Sequence, residues 1–299
     1  MNAWIYFVLI SELMWAFTSF IDKIMLSKNY IKNPFIFILF NGFMNIQLIF
    51  LLPFFSFGKL SPIDAALALS AGVFLTVGII FYYKAVQCEE ISRVLMLWQI
   101  IPIFVLVMSF FLLHESLTKK MFIGFAFLFA AGIIVSYKKI YGSFKLSKAF
   151  YFMMAATFPI SLYYILSVHI FKVTNFWSAF MWLRLSAFSS LFLLFLPSIR
   201  KQFINTWKNM GQRVKSLITL KMIIDFSAFI FLGLAMFSGP VSLISALGSA
   251  VAPIFIFLIT SFSTFYVPHI VREEISKQAV LAKFLAIALI IIGIIFINL

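Results

Sequence analysis

The sequence predicts an all-α polytopic membrane protein, with ten transmembrane helices arranged as two inverted five-helix repeats. Three observations support this fold class. Hydrophobic side chains make up 64% of the 299 residues and charged side chains only 11%, so the chain lacks the polar surface that a soluble globule needs. Apolar segments of membrane-spanning length recur along the chain. One proline-containing segment occurs twice, once in each half.

Ten apolar segments approach the length of about twenty residues that a helix needs to cross a bilayer core. Turn residues and basic residues separate them. In chain order they are spans 1 to 10, which cover residues 2–26, 34–57, 62–84, 92–113, 119–137, 147–171, 176–197, 219–238, 240–266 and 276–298. The longest polar connection, 198–218, is rich in Lys and Arg and predicts an interfacial amphipathic helix.

The duplicated segments are spans 4 and 9, which contain Pro-Ile-Phe at Pro102 and at Pro253. A proline inside a helix removes one backbone hydrogen bond and kinks the helix. A bilayer tolerates this only where neighbouring protein or a cavity covers the freed carbonyl group. We therefore expect both prolines to face a central cavity.

The order of the matching segments predicts two units, 1–141 and 142–299. Each unit contains five spans, and because five is odd, the second unit enters the membrane from the opposite side. The alternative is that segments rich in Leu and Phe resemble one another through composition alone.

The first half contains Trp15-Ala16 with Ser19, a proline span closed by Glu115-Ser116-Leu117-Thr118, and Gly124 with Gly132. These motifs resemble the EamA-type branch of the drug/metabolite transporter superfamily. The second half departs from the pattern at residues 273–276, where the spacing predicts a longer span 9 or an added turn. The resemblance implies ten helices and solute transport by alternating access. It also implies a central cavity lined mainly by spans 1, 3, 4, 6, 8 and 9.

Composition excludes several other classes of protein. The single cysteine, Cys88, and three scattered histidines predict no disulfide, no metal and no cofactor. The net charge of +14 comes from basic residues in short loops between apolar spans, which is typical of membrane topology and not of nucleic-acid binding. The expected partners are a small-molecule substrate and the lipid bilayer, and a homodimer is left open.

Charged side chains inside spans are costly in a bilayer and need a partner or a water-filled cavity. Glu12, Arg184 and Asp225 are the candidates. Glu12 and Arg184 are expected at similar depth and could pair. Glu12 then has two alternative roles, a carboxylate that binds a proton or cation and a fixed ion pair that holds two helices together. Arg184 could instead bind a substrate carboxylate or phosphate.

Aromatic and polar residues near these charges complete the predicted site, because small-molecule sites combine apolar walls with a few placed polar groups. The predicted cavity residues are Glu12, Trp15, Asn41, Tyr82, Trp98, Gln99, Pro102, Tyr163, Arg184, Asp225, Ser249 and Pro253. For Tyr82 the alternative is an anchor at the membrane interface.

These observations predict a transporter, not an enzyme, for a small organic solute such as an amino acid or a related metabolite. One rival is a membrane-embedded lipid-modifying enzyme, which would need a convergent nucleophile and base, whereas no two histidines share a span. The other rival is a membrane scaffold without transport activity.

Membrane orientation is predicted from basic residues. Seventeen Lys and Arg residues lie at or near the connections after odd-numbered spans, against four on the other side. Those four are Lys59, Lys119, Lys120 and Lys172. Because basic residues in short loops remain in the cytoplasm, both termini are expected outside it, in a multi-pass protein of the cell (inner) membrane. The resemblance implies the opposite orientation.

Overall fold

Twelve α-helices account for most of the residues that the computed structural model describes, which are 3–27, 30–31, 33–55, 58–113, 118–140, 143–266 and 277–298. The helices are α1 (Ala3–Ser27), α2 (Pro34–Met44), α3 (Pro62–Cys88), α4 (Ile91–Met96), α5 (Ile100–Leu113), α6 (Lys119–Ser136), α7 (Lys148–Val173), α8 (Phe176–Ser186), α9 (Pro197–Asn209), α10 (Gln212–Ser238), α11 (Val241–Tyr266) and α12 (Lys277–Asn298). Between the halves, β1 (Tyr137–Ile140) pairs with β2 (Ser143–Leu146) in an antiparallel hairpin.

Seven helical stretches in the described part of the chain are long and apolar enough to cross a membrane. They are Ala3–Leu26, Pro62–Cys88, Ile91–Leu112, Lys148–Val173, Phe176–Phe195, Gln212–Ser238 and Val241–Ser263, which correspond to spans 1, 3, 4 and 6 to 9. Spans 2, 5 and 10 contain the shorter apolar helices Pro34–Phe50, Phe122–Ala131 and Val280–Gly293. The expected helical, multi-pass architecture is therefore confirmed, while ten crossings in inverted repeats remain a prediction.

Two helices continue as 3₁₀-helices, α2 over Asn45–Phe50 and α8 over Ala187–Phe195. Side chains compete for backbone carbonyls at both places. Asn45 Nδ2 donates hydrogen bonds to the carbonyl groups of Asn41, at 3.0 Å, and Gly42, at 3.3 Å. Ser190 Oγ donates to the carbonyl of Ala187 at 3.0 Å. Such local bonds offer the backbone an alternative to the α-helical pattern, which explains why α2 ends well before residue 57.

The two prolines of the duplicated segments are buried but differ in their effect on the helix. The 3₁₀ turn Leu97–Gln99 separates α4 from α5, because Pro102 lacks the N–H that would bond to the carbonyl of Trp98. By contrast, α11 runs unbroken through Pro253. It is also longer than the stretch from Ile91 to Leu113, as predicted for span 9.

The polar connection after span 7 contains the expected helix, α9, which has a basic polar face. The following helix, α10, begins at Gln212, seven residues before the predicted start of span 8 at residue 219. The sequence analysis placed this start too late because the first two turns of α10 carry basic residues. The family motifs at residues 115–117 and 273–276 lie outside the described residues.

Close packing between helices depends on glycines in α3. A Cβ atom at Gly78 would lie 2.9 Å from the carbonyl oxygen of Ala156 on α7, and one at Gly72 would overlap backbone atoms of Ser186 on α8. Backbone atoms cannot turn aside as a flexible side chain can, so both positions require glycine.

We expect Gly72→Ala to lower the free energy of unfolding by about 3 kcal/mol, the upper end of the usual overpacking cost, because α3 and α8 must separate. Unfolding in mixed detergent micelles would measure this. Gly211→Ala is the matched control, since no atom lies within 4 Å of a Cβ placed there. Equal stabilities of the two variants would contradict the packing argument.

Candidate functional site

A central cavity of about 160 Å³ lies between the two halves of the chain. Its walls come from α1, α3, α7, α10, α11 and the α4–α5 stretch, which are the elements that correspond to spans 1, 3, 4, 6, 8 and 9. Residues of α2 and of α8 with its 3₁₀ continuation also line it. Nine of the predicted residues line the cavity, namely Glu12, Trp15, Asn41, Tyr82, Trp98, Tyr163, Arg184, Asp225 and Ser249.

Glu12 projects from α1 into the cavity beside α11, and 7% of its surface is exposed. The close approach is possible because the facing residue is Gly248, where a Cβ atom would lie 2.6 Å from Glu12 Oε1. Within the described part of the chain, Glu12 makes no hydrogen bond or ion pair. Its carboxylate is therefore available to a ligand or a proton that enters the cavity.

Arg184 of α8 is 1% exposed and does not pair with Glu12, so the predicted ion pair between them is wrong. Its Nη2 donates a hydrogen bond of 2.7 Å to the Tyr163 hydroxyl, and its guanidinium carbon lies 3.8 Å from the ring centroid of Phe229. Stacking on an aromatic ring suits the planar guanidinium group. Its Nε and Nη1 have no hydrogen-bond partner among the described residues, which leaves two buried donors for a ligand.

A second charged cluster lines the cavity near the C-terminal end of α1. Lys221 Nζ lies 3.4 Å from Asp22 Oδ1 and also bonds the carboxylate of Asp225, one turn along α10. It lies 3.4 Å from Asn41 Oδ1, and Asn41 Nδ2 donates to the Tyr83 hydroxyl at 2.9 Å. All three charged residues are less than 10% exposed. The charge of Asp225 is thus compensated by Lys221.

This cluster corrects two sequence-based expectations. Charges inside spans are not confined to three residues, since Asp22 and Lys221 are buried, and so is Lys283, whose Nζ lies 3.0 Å from Glu90 Oε2. The seventeen basic residues assigned to the connections after odd-numbered spans also include Lys221. Without it the count falls from 17 to 16, against four, and the predicted orientation is unchanged.

Aromatic rings form much of the remaining wall. Tyr82 stacks on Trp98 with ring centroids 5.2 Å apart and donates its hydroxyl to Ser19 Oγ at 3.1 Å. Trp15 meets Phe229 edge to face, at 5.2 Å. Tyr82 is 4% exposed, so it lies inside the protein and the alternative of a membrane-interface anchor is wrong. The cavity combines flat apolar surfaces with charged groups of both signs.

Comparison with known proteins places the first half of the chain in a family. The sequence profile of the EamA-like transporter family matches residues 2–137. Residues 2–137 belong to the EamA-like transporter family. The expected family is confirmed by this match. Together with the seven apolar helices, it identifies a multi-pass membrane protein.

The whole chain also shares its fold with a solved protein. A crystal structure whose description names no function aligns with it at a TM-score of 0.63, with 18% sequence identity, over 98% of this chain and 95% of the other. At that identity the match shows the fold alone, but it extends over both halves. No curated protein matches the chain.

Three of the predicted cavity residues do not line the cavity, namely Gln99, Pro102 and Pro253. Their neighbours Ile101 and Ala252 do. Because Pro253 has no N–H, the carbonyl of Ser249 lacks its helical partner, and the side chain Nε2 of Gln99 donates to it instead. The amide nitrogen of Gln99 therefore bonds the backbone of α11, while Gln99 Oε1 has no hydrogen-bond partner among the described residues.

Asp22 and Lys221 were missed in the sequence analysis, although one signal was present. Lys221 and Asp225 are four residues apart, the spacing at which opposite charges meet on a helix face. Within the described residues, no group of three His, Cys, Asp or Glu side chains is placed to hold a metal ion.

Proposed function

We propose that the protein moves a small organic solute, an amino acid or a related metabolite, across the membrane by alternating access through the central cavity. The observation that carries the proposal is a pair of charged groups in that cavity that have free positions among the described residues. They are the carboxylate of Glu12 and the donors Nε and Nη1 of Arg184. A substrate with an ammonium group and a carboxylate would complement both.

The size and walls of the cavity support a small substrate. A volume of about 160 Å³ is close to that of the engineered cavity of about 150 Å³ that binds benzene. The flat faces of Trp15 and Trp98 provide apolar contact for the remainder of the solute. Proton coupling through Glu12 is part of the proposal, because a carboxylate without a protein partner can exchange a proton for a cationic group.

Helix contacts support ten crossings in two inverted repeats, 1–141 and 142–299. The repeat equates α1 with α7, α3 with α10, α4–α5 with α11, and α6 with α12. The observed helix contacts follow this exchange. Helix α3 packs on α7, and its equivalent α10 packs on α1, the equivalent of α7. In the same way, α5 packs on α7 and its equivalent α11 packs on α1. The α6–α12 contact maps onto itself. Alternating access then follows from movement of one half against the other.

The proposed location is the cell (inner) membrane, with both termini outside the cytoplasm because basic residues cluster on the other side.

Melting of the purified protein in detergent, across classes of metabolite, would test the substrate proposal. A zwitterionic amino acid at about 100 times its Kd should stabilise the protein by about 2.7 kcal/mol by mass action. The matching amine or carboxylic acid should stabilise it less. Arg184→Gln should remove the difference between amino acid and amine, whereas Lys208→Gln, on exposed α9, should preserve it. Stabilisation by none of the zwitterions would contradict the proposal.

A further inference from the structure

The elbow between the 3₁₀-helix Ala187–Phe195 and the amphipathic helix α9 forms a groove of about 310 Å³, separate from the central cavity. Its lining residues are Leu194, Phe195, Pro197, Arg200, Lys201, Ile204 and Asn205. The groove therefore has one apolar wall and one wall that carries two cations and an amide. We infer that it binds the phosphate headgroup and upper acyl chain of an anionic phospholipid.

The two walls stand where a bilayer changes from hydrocarbon to headgroups. The 3₁₀-helix is the end of an apolar span, and Phe195 is 80% exposed, which suits contact with acyl chains. The chain then turns into α9, whose cations follow within one turn of Pro197. An amphipathic helix with this division of residues lies in the interface of the membrane.

Helix α9 is held in place by its apolar face. The ring of Phe203 lies 5.1 Å from that of Phe40 and 5.5 Å from that of Phe43, both on α2, and Ile199 is buried. These contacts leave the charged side chains pointing away from the packed core, since Arg200 and Lys201 are both exposed. The position of α9 beside the groove is thus set by packing within the protein.

The charge of the groove selects the headgroup. Arg200 and Lys201 have no carboxylate partner in the described part of the chain, and no acidic residue lines the groove. The fork of an arginine matches phosphate oxygens, and a lysine adds a second point charge. A choline or ethanolamine headgroup would bring its own cation next to these two. A free phosphate ion would leave the apolar wall uncovered. An anionic phospholipid would place its phosphate beside the two cations and its acyl chain against the apolar wall.

Native mass spectrometry of the detergent-purified protein would test this site, with dioleoyl phosphatidylglycerol and dioleoyl phosphatidylcholine as competing probes. Each cation near an anionic surface contributes about a fivefold preference, so the wild type should retain phosphatidylglycerol about thirtyfold better. Arg200→Gln/Lys201→Gln should reduce the preference to near unity. Lys208→Gln/Arg213→Gln is the matched control, because it removes the same charge from exposed positions outside the groove and should preserve the preference.

Three outcomes would overturn the inference. They are equal retention of the two lipids by the wild type, an equal loss of preference in both double variants, and displacement of phosphatidylglycerol by inorganic phosphate. Arg200→Lys, which retains the cation, should keep most of the preference, so a general folding defect is distinguishable from loss of the site. None of these measurements depends on transport activity.

Discussion

Lys221→Met is expected to lower the free energy of unfolding by about 3–5 kcal/mol, the cost of removing one partner from a buried ion pair. The variant leaves the carboxylates of Asp22 and Asp225 in a buried site without the ammonium group that lies between them. Each carboxylate then loses its counter-charge and gains a like-charged neighbour. Unfolding by SDS in mixed micelles would measure the loss.

The control for this prediction is Arg213→Met, which removes a cation from an exposed position on the same helix and should change stability by less than about 0.5 kcal/mol. The triple variant Asp22→Asn/Lys221→Met/Asp225→Asn removes all three charges together and should recover most of the loss, because no buried charge remains. A Lys221→Met variant as stable as Arg213→Met would refute the role of the cluster in holding α1 against α10.

Glu12→Gln is expected to reduce uptake driven by a pH gradient at least about thirtyfold, since loss of a buried charged partner costs about 2 kcal/mol or more. The melting temperature should hardly change, because Glu12 makes no ion pair or hydrogen bond among the described residues. Uptake of the stabilising solute into proteoliposomes, with and without an imposed pH gradient, would measure both the rate and the coupling.

Gly248→Ala provides an independent test of the same carboxylate. The new methyl group would meet Glu12 Oε1, the mobile end of a flexible side chain, so the fold should survive while the carboxylate is displaced. Uptake should fall by about tenfold, the effect of about 1.4 kcal/mol.

The control for the Glu12→Gln prediction is the wild type without a gradient. Collapse of the pH gradient by an ionophore should lower uptake by the wild type to the level of Glu12→Gln. Unchanged pH dependence in Glu12→Gln would rule out Glu12 as the proton carrier.

Hydrophobic length and the cost of charge in a bilayer made much of the fold and cavity predictable from the sequence. Glu12, Arg184 and Trp98 stood out because polar and amphipathic side chains inside apolar segments are costly unless they face protein or water. Partner choice was not predictable in this way. Arg184 contacts Tyr163 and Phe229 instead of Glu12. Which partner it contacts depends on its side-chain rotamer and on the packing of the surrounding helices.

The charged cluster was missed for a different physical reason. A helix can extend beyond the apolar core of a membrane, so an apolar window underestimates its length. Helix α10 therefore begins at Gln212, and Lys221 lies well inside it. The early end of α2 likewise depends on which carbonyl groups Asn45 reaches, and length and hydropathy contain no signal for that.

The bond from Gln99 to the carbonyl of Ser249 has a consequence for the energetics of alternating access. Gln99 lies three residues before Pro102. The equivalent residue of the second segment, three before Pro253, is Ala250, whose methyl group cannot donate a hydrogen bond. The hydrogen bond between the two proline segments therefore has no equivalent in the opposite direction. If the halves exchange roles during transport, the mirror-image state has to form without this bond or strain to keep it. In the proposed transport cycle, the inward-facing and outward-facing states therefore differ in energy, and the proposal predicts that the empty protein rests on one side.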